Sequence, residues 1–598
     1  MFKDKKTRVY WCKSCKVPII NDSLSKTVQC KLCGNRAKYM CSDVRPVFPE
    51  ERLFIEILLA EVFDFEKCSL WASKSGRYYI DGKSLLIPRY LYSYSNASKV
   101  REQIDKYKSD NSYEHFNFFV DRFIKANKNR LGYLKYEAYK FIESAAQYIQ
   151  NKNMFISFSG GKDSTVCADL VVRALADPKV VHIFGDTTLE FDITYDYVNR
   201  FIKNHPQTIF KTAKNTEQNF FEVCKDIGPP AKRMRWCCTM FKSSPISRII
   251  NALYGDKIVL SFNGIRACES SMRSKYERLT IDPKHRKIQQ QITASPIFHW
   301  CDADVWNYIL SENIDFNFAY RLGYNRIGCW PCPNNSPRTT FLTQIYFPKE
   351  ATIWRNQLID FAKSIGKLDA EVYVDEAKWT ARQGGSGLDS ATDTETSADV
   401  CTNDEKAQVY LLKKPVCDEF INLFVPFGKV SRDLGRKLIN EVLVLDIKSN
   451  VPILSIQDFN DGSGQYKVKI KTMNVKNHTN LRRKVGYQIV KYNACRSCRK
   501  CESVCSFGAI SINDGYYKID SDKCRHCQKC ITYKYISGGC MMKKVLYVSK
   551  KGRQILVAWC LGHINQLKYY QGKVFGCQVL PERTFLFLLF VQALGLAI

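Results

Sequence analysis

The spacing of apolar and polar residues changes several times along the chain, and each change marks a new kind of element. From Pro49, the stretch EERLFIEILLAEVFDF repeats apolar residues at helical spacing, and RYYIDGKSLLIP then reads as two short strands joined at Asp81-Gly82. Residues 99–150 interleave charged and aromatic residues at helical spacing, which predicts two helices. From about residue 153 the pattern becomes strand, loop, helix. MFISFS is a strand, SGGKDS a loop, TVCADLVVRALA a helix and VVHIFGD a second strand, with TIFKTA and KIVLSFNGIR following. Apolar strands alternating with helices predict an α/β fold with a parallel sheet covered on both faces. Such a sheet takes its ligand at the carboxyl ends of its strands.

The same pass divides the chain. Residues 1–45 are punctuated by cysteines and read as a small metal-held ribbon, 46–150 as a mixed, largely helical region, and 151–345 as the parallel-sheet domain. Residues 346–406 are a helical segment and an acidic linker; between Gln383 and Glu405 there is no Lys or Arg, and Gly, Ser, Thr, Asp and Glu dominate. Residues 407–490 read as a small α/β module and 491–545 as a second cysteine module, while 546–598 carries no motif. The apolar run Phe585–Ile598 is 14 residues with one Gln. That is short of the ~20 that span a bilayer, so a buried terminal element is expected and no transmembrane segment.

Composition narrows the class. At roughly 150 residues per domain, 598 residues predict about three to five domains, and 45% hydrophobic residues exclude a wholly disordered chain. The formal charge is +31, and residues 467–598 hold 24 Lys and Arg against 5 Asp and Glu. That concentration predicts a polyanionic partner, nucleic acid or an anionic membrane face. There are 26 cysteines, but the chain opens MFKDKKTRVYW without an apolar signal-peptide core. Thiolates in a reducing cytoplasm are therefore expected rather than a disulfide framework.

Ser159-Gly160-Gly161-Lys162-Asp163-Ser164 falls between a predicted strand and a predicted helix. Paired glycines let successive backbone N–H groups point into one concavity, and the helix start adds the positive end of its dipole. Lys162 adds a point charge, and Ser159 and Ser164 add hydroxyls. The string is not G-x-x-x-x-G-K-[ST], so cleavage between the β and γ phosphates is not the inference.

SGGKDS resembles the pyrophosphatase loop of the adenine-nucleotide α-hydrolase (PP-loop) superfamily, and the segments after it resemble its phosphoadenosine phosphosulfate (PAPS) reductase branch. Asp186-Thr187-Thr188-Leu189-Glu190-Phe191 matches the branch's D-T-x-x-x-F element, and Gly264-Ile265-Arg266 its G-x-R element. Ser295-Pro296-Ile297 through Asp304-Val305-Trp306 matches its P-I-x-x-W-x-x-x-D-V-W element. The resemblance covers roughly residues 150–345. It implies that ATP, or an adenylylated sulfate (APS or PAPS), lies with its phosphates on the loop and reacts at the α-phosphorus. Lys162, Asp163, Asp186, Thr187, Glu190 and Gly264 are then binding residues, and Arg266, Arg273 and Lys242 neutralise phosphate charge, with Lys162, Asp163, Arg266 and Lys242 as the catalytic set. If ATP is cleaved, Mg²⁺ is expected on Asp163 or Asp186.

Three cysteine sets follow from spacing. Cys12-x2-Cys15 and Cys30-x2-Cys33 have the arrangement of a zinc ribbon, a closed structural Zn²⁺ site. Cys495-x2-Cys498-x2-Cys501-x3-Cys505 reproduces the bacterial ferredoxin run, and Cys524-x2-Cys527-x2-Cys530 with Cys540 a second, so that two [4Fe–4S] clusters exchange their fourth ligands. Ser506 stands where Pro is usual, and nine residues separate Cys530 from Cys540. Cys237, Cys238, Cys329 and Cys332 form an inner set that suits zinc or an iron–sulfur cluster by softness. This set resembles the [4Fe–4S] site of assimilatory adenylyl-sulfate reductases and of the sulfur-transfer subunit of DNA phosphorothioation systems, which favours iron. The Glu-Cys-Gly element of sulfonucleotide reductases does not occur in these 598 residues. Cys268 and Cys301 lie beside the nucleotide motifs and are candidate persulfide carriers.

An adenine-nucleotide site, an inner cluster and an attached ferredoxin module describe chemistry that needs activation and electrons. The leading expectation is ATP-dependent sulfur incorporation into a nucleic acid, DNA above all, with a cysteine desulfurase or other sulfur donor and with partner subunits of a phage-defence operon. The alternatives are a reductase of APS or PAPS fed by its own ferredoxin module, and a non-catalytic, nucleic-acid-binding redox subunit.

Overall fold

The structure, a computed structural model, describes residues 7–532 apart from 74–75, 150–152, 233, 283–289, 365–366, 368, 382–397, 401–406, 461, 496–498 and 514–515. Four short antiparallel strands come first, β1 (Arg8–Cys12), β2 (Val17–Asn21), β3 (Thr27–Gln29) and β4 (Arg36–Cys41), in the order β2-β1-β4-β3. The turns from β1 to β2 and from β3 to β4 carry the two C-x-x-C pairs. A second antiparallel sheet, β5 (Val44–Pro46), β6 (Leu70–Ser73), β7 (Arg77–Ile80) and β8 (Lys83–Leu86), carries α1 (Pro49–Leu59) in its first connection. Its hairpin turns at Asp81 and Gly82, both with positive φ (47° and 82°), the backbone that a two-residue turn of this hand requires. A Cβ on Gly82 would lie 2.4 Å from the Trp11 ring, so the ribbon also demands glycine there.

Helices α2 (Tyr94–Tyr107) and α3 (Glu114–Ala146) occupy the stretch predicted as two helices. Asn127 on α3 joins the ribbon to the rest of the chain. Its side chain accepts from the Ile20 N–H at 2.8 Å and donates to the Pro18 carbonyl at 3.0 Å.

The strand-loop-helix region becomes β9 (Met154–Phe158), α4 (Lys162–Leu175), β10 (Val181–Asp186), α5 (Asp192–Asn204), β11 (Phe210–Lys214) and α6 (Phe220–Ile227). A short turn α7 (Trp236–Cys238) runs through a π-helical segment, Thr239–Ser243, into α8 (Ser244–Tyr254), before β12 (Val259–Asn263), β13 (Leu279–Thr280), β14 (Gln291–Ala294) and α9 (Asp302–Ser311). The sheet order is β11-β10-β9-β12-β14-β13, parallel through the first five strands, with β13 antiparallel at the edge. One face buries Ile156, Phe158 and Phe262 against α3, α4 and α9, and the other buries Phe155, Ile183 and Val259 against Ile250 of α8. Strand order reverses between β9 and β12. The two strands stay paired up to Ser157 and Asn263, and the connections that leave their carboxyl ends diverge, at the crevice where such sheets bind ligands.

Helices α10 (Pro337–Tyr346), α11 (Pro348–Ser364) and α12 (Ala370–Asp375) follow, and Trp354 packs with Trp236 and Phe220 in a separate core. The next sheet is antiparallel, β15 (Ala398–Val400), β16 (Ala407–Leu411), β17 (Lys429–Ser431), β18 (Val442–Leu445), β19 (Pro452–Asp458) and β20 (Lys467–Thr472), ordered β15-β16-β20-β19-β18-β17, with α13 (Asp418–Asn422) between β16 and β17. Then come α14 (His478–Ala494), α15 (Lys500–Val504), the hairpin β21 (Ile510–Asn513) and β22 (Tyr516–Ile519), and α16 (Lys529–Thr532).

The apolar core does not divide at residue 490, where the motifs change. Helix α14 runs across that position, and its Val485 and Ile489 share one core with Leu454 and Ile470 before it and with Val504, Tyr517 and Ile531 after it. Among the described residues no helix is long and apolar enough to cross a membrane. The acidic linker falls mostly, and the 546–598 segment wholly, outside the described residues.

Candidate nucleotide and cysteine site

The glycine loop sits at the end of β9. Gly160 has φ +68° and Gly161 faces the Tyr320 hydroxyl, which lies 3.2 Å from where its Cβ would be. The loop is braced internally, with the Ser159 N–H donating to Ser164 Oγ at 3.1 Å and Ser164 Oγ donating to the Gly161 carbonyl at 2.8 Å. From outside, the Lys162 N–H donates to the Tyr320 hydroxyl at 3.0 Å. Gly264, at the end of β12, explains the G-x-R element: a Cβ there would meet the Asp163 carbonyl oxygen at 2.4 Å. Glycine lets β12 press its backbone onto the start of α4, and Arg266, two residues on, then reaches Asp163.

The side chains of Lys162 and Arg266 turn inward. Lys162 is 3% exposed, with its ammonium 3.0 Å from Asp163 and 3.1 Å from Asp302. Arg266 donates to the other Asp163 oxygen at 2.7 Å and to Asp302 at 2.9 Å. Burial opposes the charged form of both cations, but the two carboxylates outweigh it and hold both above their usual values. Asp302 in turn sits at the start of α9, where Asp43 accepts from the Asp302 and Ala303 N–H groups at 2.9 and 3.2 Å. Asp304, in the same element, caps α9 through the Cys301 N–H and forms a two-pronged pair with Arg130 of α3 at 2.7 and 3.0 Å. Neither Asp43 nor Asp302 stands out in the sequence. The one available signal for Asp302 was a second acid beside Asp304 at a helix start.

Each oxygen of Asp163 thus faces a cation. Asp186, 5% exposed, accepts on one oxygen from the Thr188 N–H at 2.7 Å and the Tyr195 hydroxyl at 2.8 Å, and its other oxygen lies 3.7 Å from Lys214. These surroundings do not fit either carboxylate as a magnesium ligand. Arg273 pairs with Glu269.

The D-T-x-x-x-F element bends toward the inner cysteines. Thr188 has φ +63°, an unfavourable backbone for a β-branched residue and one that concentrates at functional sites. Thr187 Oγ1 donates to Glu190 at 2.8 Å and lies 3.2 Å from Cys329 Sγ, and the Trp330 N–H donates to the Leu189 carbonyl at 2.9 Å. Cys237 is raised by a hydrogen bond with Cys238, by burial, and by the charges of Cys238, Cys329 and Cys332. The fold therefore gathers all four from segments some 90 residues apart. Cys238 is lowered to about 6 by the Cys237 contact, with Arg235, Lys242 and Lys500 acting in the same direction against burial.

The described residues contain a single group of three or more metal-type ligand atoms lying within 4.8 Å of one another, Cys12, Cys15, Cys30 and Cys33. That group fits one small ion such as Zn²⁺, and burial pushes the Cys12 thiol up to about 12, a penalty that a bound cation removes. The inner four influence one another electrostatically, but their sulfurs do not all lie within 4.8 Å of one another.

In the C-terminal module, Cys530 is pushed up to about 12 by burial, and it feels Cys501, Cys527 and Cys505; Cys524 feels Cys505 and Cys527. Cys501 and Cys505 of the first run thus both lie near the second, and Tyr517 lies among Cys501, Cys530, Cys495 and Cys505. Cys498 and Cys540 lie outside the described residues. Cys268 is exposed and receives a hydrogen bond from Arg266 at 3.2 Å, whereas Cys301 is buried under α9.

A cavity of about 530 Å³ lies on the α8 face of the sheet. Ser157 and Asn263 of the two switch-point strands, Thr239 and Lys242 just after Cys238, and Ser503, Ser506 and Lys529 of the cysteine-rich module all line it.

The strand order, the switch point and a glycine loop locked onto β12 define a nucleotide-binding α/β domain of the PP-loop type. Residues 153–335 match the phosphoadenosine phosphosulfate reductase domain. An adenosine 5′-phosphosulfate reductase of Anoxybacillus flavithermus is 30% identical over 187 residues, 30% of this chain and 72% of that one. The chain belongs to the phosphoadenosine phosphosulfate reductase family. An uncharacterized protein of Methanocaldococcus jannaschii is 34% identical over 261 residues, 43% of this chain and 52% of its own length. The chain thus spans about half the length of that relative. A phosphoadenylyl-sulfate reductase structure from Candida auris aligns with TM-score 0.27 and 19% identity, over 34% of this chain and 95% of that one.

Proposed function

We propose that the protein reduces an adenylyl sulfate, APS or its 3′-phosphorylated form, with electrons supplied through its own C-terminal cysteine module. The observation that carries this reading is the placement of Lys242, which lines the cavity at the strand ends and also acts electrostatically on Cys238, Cys329 and Glu190. One cation thus faces both the nucleotide crevice and the inner thiols. Adding two electrons to the sulfuryl group breaks its bond to the bridging oxygen and releases sulfite, with AMP from APS or adenosine 3′,5′-bisphosphate from PAPS.

Each part of the chain has a role in this reading. The glycine loop and Asn263 bind and orient the nucleotide at the switch point, and Lys242 steadies the negative charge that grows on the departing phosphate. The Lys162–Asp163–Arg266–Asp302 network holds the loop against β12 rather than touching substrate. Cys237, Cys238, Cys329 and Cys332 would hold a [4Fe–4S] cluster, and the C-terminal cysteines two more; such clusters supply one-electron transfer when bound. In this reading the electrons run through the cysteine sets of this chain.

The test uses the full chain, purified anaerobically, with APS or PAPS and reduced methyl viologen. Sulfite release that disappears in Cys238→Ser is the expected result. No sulfite from either sulfonucleotide overturns the reading.

A second reading rests on the 24 Lys and Arg among residues 467–598. Here ATP adenylylates a nucleic-acid oxygen with loss of pyrophosphate, the outer sulfur of a donor's persulfide displaces AMP, and a second thiol cleaves the remaining S–S bond, forming a disulfide with the donor and leaving sulfur on the nucleic acid. ATP–pyrophosphate exchange that depends on DNA, with sulfur in the recovered DNA by mass spectrometry, is its signature.

A further inference from the structure

The charged residues around the cavity are three ammonium groups, Lys242, Lys275 and Lys529, and one carboxylate, Glu277. They come from three places. Lys242 belongs to the π-helical segment after Cys238, and Lys275 and Glu277 to the loop between β12 and β13. Lys529 opens α16 in the cysteine-rich module, directly before Cys530. The module adds the hydroxyls of Ser503 and Ser506, which flank Cys505.

This wall is firmly seated. Asn251 of α8 donates to the Ser506 carbonyl at 2.6 Å, and the buried Lys500 donates to the Trp236 carbonyl at 3.2 Å. Arg499 reaches the Glu217 carbonyl at 3.2 Å. The module therefore forms a built side of the cavity.

Lys242 and Lys275 are exposed and Lys529 is half-buried, and this excess of ammonium groups around one concave space favours a ligand with more than one negative charge, to whose oxygens the serine hydroxyls can donate. We propose that the cavity is a tetrahedral-oxyanion site completed by the C-terminal module, in which Lys529 binds the sulfate end of a sulfonucleotide. The proposal rests on the sulfonucleotide reading for the identity of the ligand. The oxyanion chemistry follows from the lining alone.

The experiment is anaerobic calorimetry on the full chain with three probes, APS, AMP and inorganic sulfite. In Lys529→Ala, APS and sulfite are expected to bind about 10- to 100-fold more weakly, the range for losing a charged hydrogen bond, while AMP stays within about twofold. Lys529→Arg keeps the charge and should stay close to wild type. Lys275→Ala, in the β12–β13 loop and away from any cysteine run, should show the same selective loss, which covers the case in which Lys529→Ala fails to accumulate. Wild-type binding of APS and sulfite by both alanine variants overturns the proposal, as does an equal loss of AMP. If wild-type protein binds APS no better than AMP while sulfite binding still depends on Lys529, the sulfonucleotide reading fails and the oxyanion site stands.

Discussion

The buried ammonium of Lys500 donates to the carbonyl of Trp236 across 3.2 Å, joining residues 264 positions apart. Lys500 precedes Cys501 and Trp236 precedes Cys237, so this single bond ties the backbone of the C-terminal cysteine run to that of the inner pair. Replacing Lys500 by Met removes this bond but leaves the carbonyl its bond from the Thr239 N–H, a loss of about 0.5–1.5 kcal/mol. Lys500→Met should lower the unfolding midpoint and speed hydrogen exchange in residues 236–243 and 500–504 together. Exchange that rises in one segment alone would count against a shared seam.

Two glycines separate close approach from simple chain freedom. Gly264→Ala puts a methyl 2.4 Å from the Asp163 carbonyl, so the loop must shift; nucleotide affinity should fall at least about tenfold and stability by about 1–3 kcal/mol. Gly132→Ala, mid-helix in α3 with nothing within 4 Å of the new Cβ, should instead add about 0.5–1 kcal/mol. Chemical unfolding and nucleotide titration of both variants check the contrast.

Asp43 makes a pH prediction. Burial first, and the facing Asp302 carboxylate second, push it up to about 6, with Arg266 and two backbone N–H groups opposing. An unfolded aspartate titrates near ~3.9, so between about pH 4 and 6 the unfolded chain gives up a proton that the folded chain retains. Asp43 therefore makes folding progressively less favourable as pH rises through that window, and its effect is constant above it. Asp43→Asn cannot ionise, and its stability relative to wild type should climb by about 1–3 kcal/mol from pH 4 to 6. Denaturant titrations at half-unit pH steps measure this, and a constant difference would refute it.

Metal content tests the three cysteine sets. Full occupancy predicts about 12 iron per chain, four in each of three clusters, and about one zinc. Cys238→Ser should lower iron to about 8 and leave zinc unchanged. Cys30→Ser should remove zinc, spare iron and loosen the ribbon from α3, where Arg122 donates to the Cys15 carbonyl at 3.2 Å. Loss of both metals in either variant would contradict independent sites.

The sequence by itself determined what depends on near neighbours. The Asp81-Gly82 turn, the strand-loop-helix run around SGGKDS and the spacing of the C-x-x-C pairs all read correctly because backbone preference and side-chain period act over a few residues. Where the side chains of Lys162 and Arg266 lie was decided only by the tertiary structure. Both are paired inward because Asp302, brought in by α9, offers a carboxylate, and Asp43, 259 positions from Asp302, fixes that helix start. The continuous core across residue 490 and the cavity wall carrying Lys529 are of the same kind. Desolvation and charge pairing depend on which distant segments meet, and no local pattern encodes that meeting.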